Sequence, residues 1–242
     1  MTPDEDSEQE LRQKICEIGR RLDEKGLVTA MDGNISVRLG DNRFLFTPTQ
    51  CSLGRMEPDE LVVAGEDGEP ERGGRPPSSE YRLHVACYRR RPDVGAVIHA
   101  HPPNCVAASV AGVNLAQPVL PEVVFTLGSI PTAPYGTPAG EESCAVMEQY
   151  AETYDAVLLD RHGVVTLDGG LEGAYMKMEK AENAAEVHLK AKQLGVVRVL
   201  PREEVEKLKE LGKKYGLNPD AVPDDMAYSR GKQREVSSAA DE

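Results

Sequence analysis

The stretch Val94-Gly95-Ala96-Val97-Ile98-His99-Ala100-His101-Pro102-Pro103 decides the fold. Its apolar, partly β-branched run predicts a strand, because such side chains pack well on a pleated surface. The two prolines end it, since proline cannot donate to a sheet ladder. Side chains alternate along a strand, so Val97, His99 and His101 share one face while Ile98 and Ala100 share the other. Two imidazoles therefore meet on one side of a sheet. Neutral imidazole is the commonest protein ligand for zinc and related ions, and a catalytic site usually takes three protein ligands and keeps a position open. A third candidate is His162, in Leu158-Leu159-Asp160-Arg161-His162-Gly163-Val164-Val165, which reads as two strands joined through a turn at Gly163. The alternative is a set of sheet histidines bonded only to neighbours. The same-face pair favours the metal. His84 and His188 fall in helical patterns, and His188 reads as a surface or core residue.

Just upstream stands Pro77-Ser78-Ser79-Glu80-Tyr81-Arg82-Leu83-His84. Pro76-Pro77 halts any preceding element, Ser78 or Ser79 can cap a helix, and Glu80 falls in its first turn, with Leu83, Ala86 and Cys87 on one helical face. A helix start with two hydroxyls and free backbone N–H groups attracts anions, phosphate above all. Ser79 and Glu80 are also read more plainly, as a cap and a dipole partner. Asp32-Gly33-Asn34-Ile35-Ser36-Val37-Arg38 gives a second loop where backbone and amide donors can approach a ligand, or where there is only a turn.

Outward from these stretches the pattern is α/β. Leu11, Ile15, Ile18 and Leu22 predict an amphipathic helix over 9–25. Strands are expected near 34–39, 43–47, 61–64, 122–127, 131–135, 156–160 and 163–167. Helices are expected near 103–111, over 171–194 with Ala174, Met178, Ala181, Ala185 and Leu189 inward, and over 202–214. Residues 66–74 form a turn-rich loop. We read one domain over 9–217, a mobile polar lead over 1–8 and a polar tail over 218–242.

Bulk properties narrow the partners. The 242 residues can bury a sizeable core, and 40% hydrophobic with 29% charged residues is ordinary for a globular protein. A formal charge of −13 argues against a nucleic-acid backbone as partner. No run approaches the roughly 20 apolar residues that span a bilayer, and the acidic N-terminus is unlike a signal peptide. Five cysteines without Cys-x-x-Cys spacing read as free thiols in a reducing compartment. A cytoplasmic location is expected.

Taken together, Gly33-Asn34-Ile35-Ser36-Val37-Arg38, Thr47-Pro48-Thr49, Pro77-Ser78-Ser79-Glu80, His99-Ala100-His101, Ser129-Ile130-Pro131-Thr132-Ala133-Pro134-Tyr135, His162-Gly163 and Lys214-Tyr215-Gly216-Leu217 resemble the class II aldolase/adducin family, from about Leu11 to Leu217. The resemblance implies a three-layer α/β/α domain around a mainly antiparallel sheet. It implies one Zn2+ per chain on His99, His101 and His162, Glu80 as catalytic acid/base, and Gly33, Asn34, Thr49, Ser78 and Ser79 around a substrate phosphate. It also implies a homotetramer in which Tyr215 reaches a neighbouring subunit's site; Tyr215 is read equally as a surface residue after a helix.

The expected reaction is aldol cleavage of a ketose phosphate through an enediolate, without a Schiff-base lysine. Epimerisation, dehydration or decarboxylation of a sugar or sugar-acid phosphate would use the same chemistry. The reading from another class is a non-enzymatic, adducin-like interaction protein, whose relatives lack the metal histidines kept here. The chain departs from the aldolase pattern at three places. Met31 replaces a phosphate-contacting threonine, Gln50 replaces the glycine after Thr-Pro-Thr, and Leu120–Thr126 holds no counterpart of the tyrosine that serves the leaving aldehyde. Glu122 is read there as a different proton relay or as an ordinary loop carboxylate.

Overall fold

The computed structural model describes residues 7–40, 42–215, 217, 221 and 222. The expected lead and tail lie largely outside these residues, as does Gly216. Ser7 opens the first helix by a reciprocal cap: its hydroxyl accepts from the Glu10 N–H, and the Glu10 carboxylate accepts from the Ser7 N–H at 2.7 Å. Ala221 and Val222 are buried.

The chain runs through α1 (Glu8–Glu24), β1 (Asn34–Gly40), β2 (Arg43–Phe46), β3 (Val62–Ala64), α2 (Tyr81–Arg90), β4 (Ala96–Ala100), α3 (Pro103–Val110) and α4 (Pro121–Leu127). It continues through β5 (Thr132–Ala133), α5 (Glu141–Ala151), β6 (Ala156–Leu159), β7 (Gly163–Asp168), α6 (Leu171–Leu194) and α7 (Arg202–Lys214). The strands form one seven-stranded sheet in the order β3-β2-β1-β4-β7-β6-β5. Every neighbouring pair is antiparallel except β5–β6, so the sheet is mixed, as an edge strand on an otherwise antiparallel sheet makes it.

Strand alternation sorts the core into two layers. Ile35, Val37, Ile98, Ala100, Leu158 and Val164 face one side, against Ile15, Ile18 and Leu22 of α1 and Ala174, Met178 and Ala181 of α6. Phe44, Phe46, Val97, Val157 and Val165 face the other, against Leu83, Cys87 and Tyr88 of α2 and Met147 and Ala151 of α5. This is the expected three-layer α/β/α arrangement. All five cysteines are unpaired. Among the described residues no helix is long and apolar enough to cross a membrane.

Several sequence expectations need correction. Residues 122–127 are helical, in α4, because Pro121 at the first helical position presets φ and Val123, Val124 and Leu127 bury at helical spacing. A short β-branched run does not reveal its period. The strand expected over 131–135 shrinks to Thr132–Ala133, with prolines on both sides that cannot donate to a ladder. Helix α5 had no predicted counterpart, because its buried stripe is Ser143, Met147 and Ala151, too polar and small to stand out. The turn between β6 and β7 is Asp160-Arg161-His162, with Arg161 left-handed at φ +57°, while Gly163 opens β7.

Candidate active site

Three strand ends meet at one edge of the sheet. The antiparallel register sets Asn34, the first residue of β1, opposite His99 near the end of β4, and pairs Ala100 with Val164 of β7. His101 continues past β4 and His162 precedes β7. The topology thereby gathers His99, His101 and His162, whose ligand atoms all lie within 4.8 Å of one another. The Nε2 atoms of His99 and His101 stand 3.0 Å apart, and those of His99 and His162 3.4 Å.

Gly163 makes the convergence possible. A Cβ there would stand 2.4 Å from the Ala100 carbonyl, 2.6 Å from the His101 ring and 2.9 Å from the His99 ring. Glycine is required here by close approach and not by a turn.

The donor set fits a divalent ion. His99 is fully buried, and its Nδ1 donates to the Val164 carbonyl at 3.0 Å, which leaves the Nε2 lone pair facing the cluster. His101 Nδ1 lies 3.7 Å from an Asp32 carboxylate oxygen. Burial first, and then the neighbouring imidazoles, hold His99 well below the ordinary histidine value. Burial, then His162, lowers His101. The rings of His99 and His101 thus stay neutral and keep their lone pairs. A tetrahedral ion about 2.0–2.1 Å from each of three imidazole nitrogens would hold them about 3.4 Å apart, close to the separations between the Nε2 atoms here.

Glu80 faces this cluster. Its Oε2 lies 3.3 Å from His99 Nε2 and its Oε1 3.6 Å from His162 Nε2. Oε1 is buried without a hydrogen-bond partner, while Oε2 accepts from Asn34 Nδ2 at 3.0 Å. Glu80 is the N-cap of α2, one position earlier than expected, and its side chain makes no capping bond. The serines do not cap α2 in the expected way: the Ser78 hydroxyl accepts from the Glu80 N–H at 3.3 Å. The Glu80 carboxylate thus bonds no N–H of the helix end and lies against the imidazoles instead.

The other expected residues fall into two groups. The Thr47–Thr49 and Pro76–Ser78 segments run side by side, joined by Ser78 N–H to the Thr47 carbonyl at 2.9 Å and Thr49 N–H to the Pro76 carbonyl at 3.0 Å. Ser79 is exposed there, and Thr49 and Ser78 are half-buried. Gly33, left-handed at φ +82°, packs against the His99 backbone. Asn34 is buried, with its amide oxygen toward His84 and one amide hydrogen toward Glu80, so only part of it is free for an anion. Gln50 keeps a left-handed φ of +53°, the conformation a glycine would adopt freely, and Met31 is exposed. Tyr215 ends α7, about two-thirds exposed, with its ring edge-on to Phe125 of α4 at 5.9 Å.

Sequence reasoning passed over Ser36, His84 and Tyr88, which stand behind Asn34. The available signal was the spacing Asn34-x-Ser36 against Glu80-x-x-x-His84-x-x-x-Tyr88. Two residues advance about 6.8 Å along a strand and four advance about 6 Å along a helix, so the two rows stay in step.

Three imidazoles at the ends of neighbouring strands, with a carboxylate beside them, could hold a metal ion. The Class II Aldolase and Adducin N-terminal domain matches residues 13–189, and the chain belongs to this family. It is 34% identical over 190 residues to the 3-oxo-tetronate 4-phosphate decarboxylase of Cupriavidus necator, covering 77% of this chain and 87% of that one. It is 32% identical over 210 residues to the L-fuculose phosphate aldolase of Escherichia coli K12, covering 86% of this chain and 96% of that one. The crystal structure of YgbL from Klebsiella pneumoniae, for which aldolase, epimerase and decarboxylase are offered as alternatives, is similar with a TM-score of 0.77 at 32% identity. That likeness covers 84% of this chain and 99% of YgbL.

Proposed function

We propose that this protein breaks the bond between the α and β carbons of the ketone in a phosphorylated sugar derivative, and that its substrate is a 3-oxo sugar-acid phosphate, which it decarboxylates. The observation that carries the reading is the pairing of Glu80 with three convergent imidazole nitrogens, with one carboxylate oxygen left unpartnered. A divalent ion, zinc by the chemistry of three imidazoles, would be held by His99, His101 and His162 and would supply Lewis acidity at the ketone oxygen.

The chain's own residues do the rest. The backbone and hydroxyls around Thr49, Ser78 and Ser79, with Gly33 and the free amide hydrogen of Asn34, hold the phosphate and set the reacting carbon beside Glu80. When the carboxyl group departs as carbon dioxide, its bonding electron pair stays on the carbon next to the ketone. Glu80, carrying a proton on Oε1 beforehand, delivers it to that carbon and is left as a carboxylate that regains a proton from solvent after product leaves.

Decarboxylation is favoured over aldol cleavage because the leaving group needs no proton exchange at an oxygen. Leu120–Leu127 offers no tyrosine for that task, and α4 presents Val123 and Val124 inward. The decarboxylase relative supports the same choice. Aldol cleavage of a ketose phosphate is the second reading, supported by the likeness to the fuculose phosphate aldolase over 86% of the chain. A non-enzymatic, adducin-like role would not require the three histidines and Glu80 to converge.

The test is to incubate metal-loaded protein with a 3-oxo-tetronate 4-phosphate and with ketose 1-phosphates, following carbon dioxide and aldehyde separately. Carbon dioxide release at the higher kcat/KM is expected. Aldehyde release alone would establish the second reading, and turnover of neither would refute both.

A further inference from the structure

A row of buried polar side chains runs from the far side of α2 to Glu80. Tyr88 Oη lies 2.8 Å from Ser36 Oγ, and Ser36 Oγ lies 2.6 Å from His84 Nδ1. His84 Nε2 meets Asn34 Oδ1, and Asn34 Nδ2 donates to Glu80 Oε2 at 3.0 Å. Ser36, His84 and Tyr88 are all at most 2% exposed. They sit among Phe44, Leu83 and Val97, where apolar side chains would fill the same space without the cost of burying polar groups.

The direction of every bond follows from one end. The Asn34 NH2 donates to Glu80 Oε2, so the Asn34 oxygen is left to His84, and an amide oxygen can only accept from His84 Nε2–H. His84 Nδ1 is then an acceptor, Ser36 O–H donates to it, and Tyr88 O–H donates to Ser36. Burial pushes His84 down to about 3, so its ring is neutral and carries the single proton this order needs. All four donors point the same way, and each bond polarises the next.

We infer that Tyr88, Ser36, His84 and Asn34 form a one-directional hydrogen-bond relay whose task is to pin Glu80 Oε2 and leave Oε1 as the only oxygen that exchanges a proton with substrate. His84 and Ser36 are positioning residues: their side-chain hydrogen bonds go to each other, to Tyr88 and to Asn34, and they act on Glu80 through Asn34. The inference rests on the proposed acid/base role of Glu80. The sense of the relay can be read without any turnover.

The first measurement is the long-range proton–nitrogen spectrum of protein labelled with 15N-histidine, with the His84 signals assigned by their absence in His84→Gln. A neutral ring protonated on Nε2 is expected; a ring protonated on Nδ1, or a charged ring, would overturn the relay. The second is kinetic. Ser36→Ala should lower kcat by about 10- to 100-fold, the scale for outer partners of a catalytic group, with KM and metal content unchanged. Ser36→Thr should restore it. Tyr88→Phe, which keeps the ring that stacks on Phe44, should give a smaller loss in the same direction. In a Glu80→Gln background Ser36→Ala should cost nothing further. Losses that add across the two backgrounds, or a lower melting temperature with kcat per folded molecule intact, would mean that the row is only structural. Should Glu80→Gln retain full turnover, the acid/base reading fails, while the His84 spectrum still reports whether the relay exists.

Discussion

At the scale of single residues, two side chains of α2 carry opposite expectations. Glu80 has one oxygen anchored by Asn34 and one buried and unpartnered beside His162, a geometry suited to proton transfer. Glu80→Gln should keep the fold and the metal yet lose ~10²-fold or more in turnover. Metal analysis and a melting curve alongside the rate check this, and a fall in melting temperature with the rate intact would count against it. His84 bears on stability. Its folded pKa of about 3 lies below the ~6.5 of an unfolded histidine, so between those values the unfolded chain binds a proton that the folded chain refuses. Stability from this group is present above about pH 6.5, is lost progressively as pH falls, and levels off below pH 3. Between pH 7 and pH 5 the loss is roughly 2 kcal/mol. Urea unfolding at both pH values should show a steeper decline for the natural protein than for His84→Gln; equal declines would place the effect elsewhere.

At the scale of elements, the β6–β7 connection and the end of β4 build the histidine cluster together. A methyl group at position 163 would press on the Ala100 carbonyl and on both histidine rings of the β4 end. Backbone cannot yield cheaply inside a paired sheet, so the rings must move. Gly163→Ala should therefore weaken metal binding by about tenfold or more while the circular dichroism spectrum stays native. Zinc titration against a competing chelator reads this directly, and unchanged affinity would show that the rings have room. The cluster itself was legible because period two puts His99 and His101 on one face from sequence alone. That Asn34 lies opposite His99 was not, since strand register is set by pairing between residues far apart in the chain. Helix α4 was misread because Val123, Val124 and Phe125 favour strands locally, whereas the Pro121 start and the packing of Val123, Val124 and Leu127 make the run helical.

At the scale of the whole molecule, the apolar side chains left outside the core are concentrated late in the chain. Leu194 and Val196 are about nine-tenths exposed, and Tyr215 about two-thirds. Such residues suit a partner surface, and we propose the homotetramer the family resemblance implies, with Tyr215 serving a neighbouring subunit's site. Light scattering should give four times the 26.3 kDa chain mass. Glu80→Gln and Tyr215→Phe proteins, each inactive alone, should recover activity when their subunits exchange, because a mixed assembly unites an intact Glu80 with an intact Tyr215. A monomer, or no recovery despite proven exchange, would refute the shared site.

The sequence by itself determined the strand with two histidines on one face, the third histidine at a strand end, the glutamate at a helix start and most of the succession of helices and strands. All of these follow from local periodicity and from residues that end elements. Only the tertiary structure decided that the histidines and Glu80 meet, that Gly163 leaves the rings their space, and that Ser36, His84 and Tyr88 stand in line behind Asn34. Those facts depend on register and on packing of α2 against β1, which join residues some fifty positions apart. No local pattern fixes distances of that kind, because they are set by the whole core closing at once.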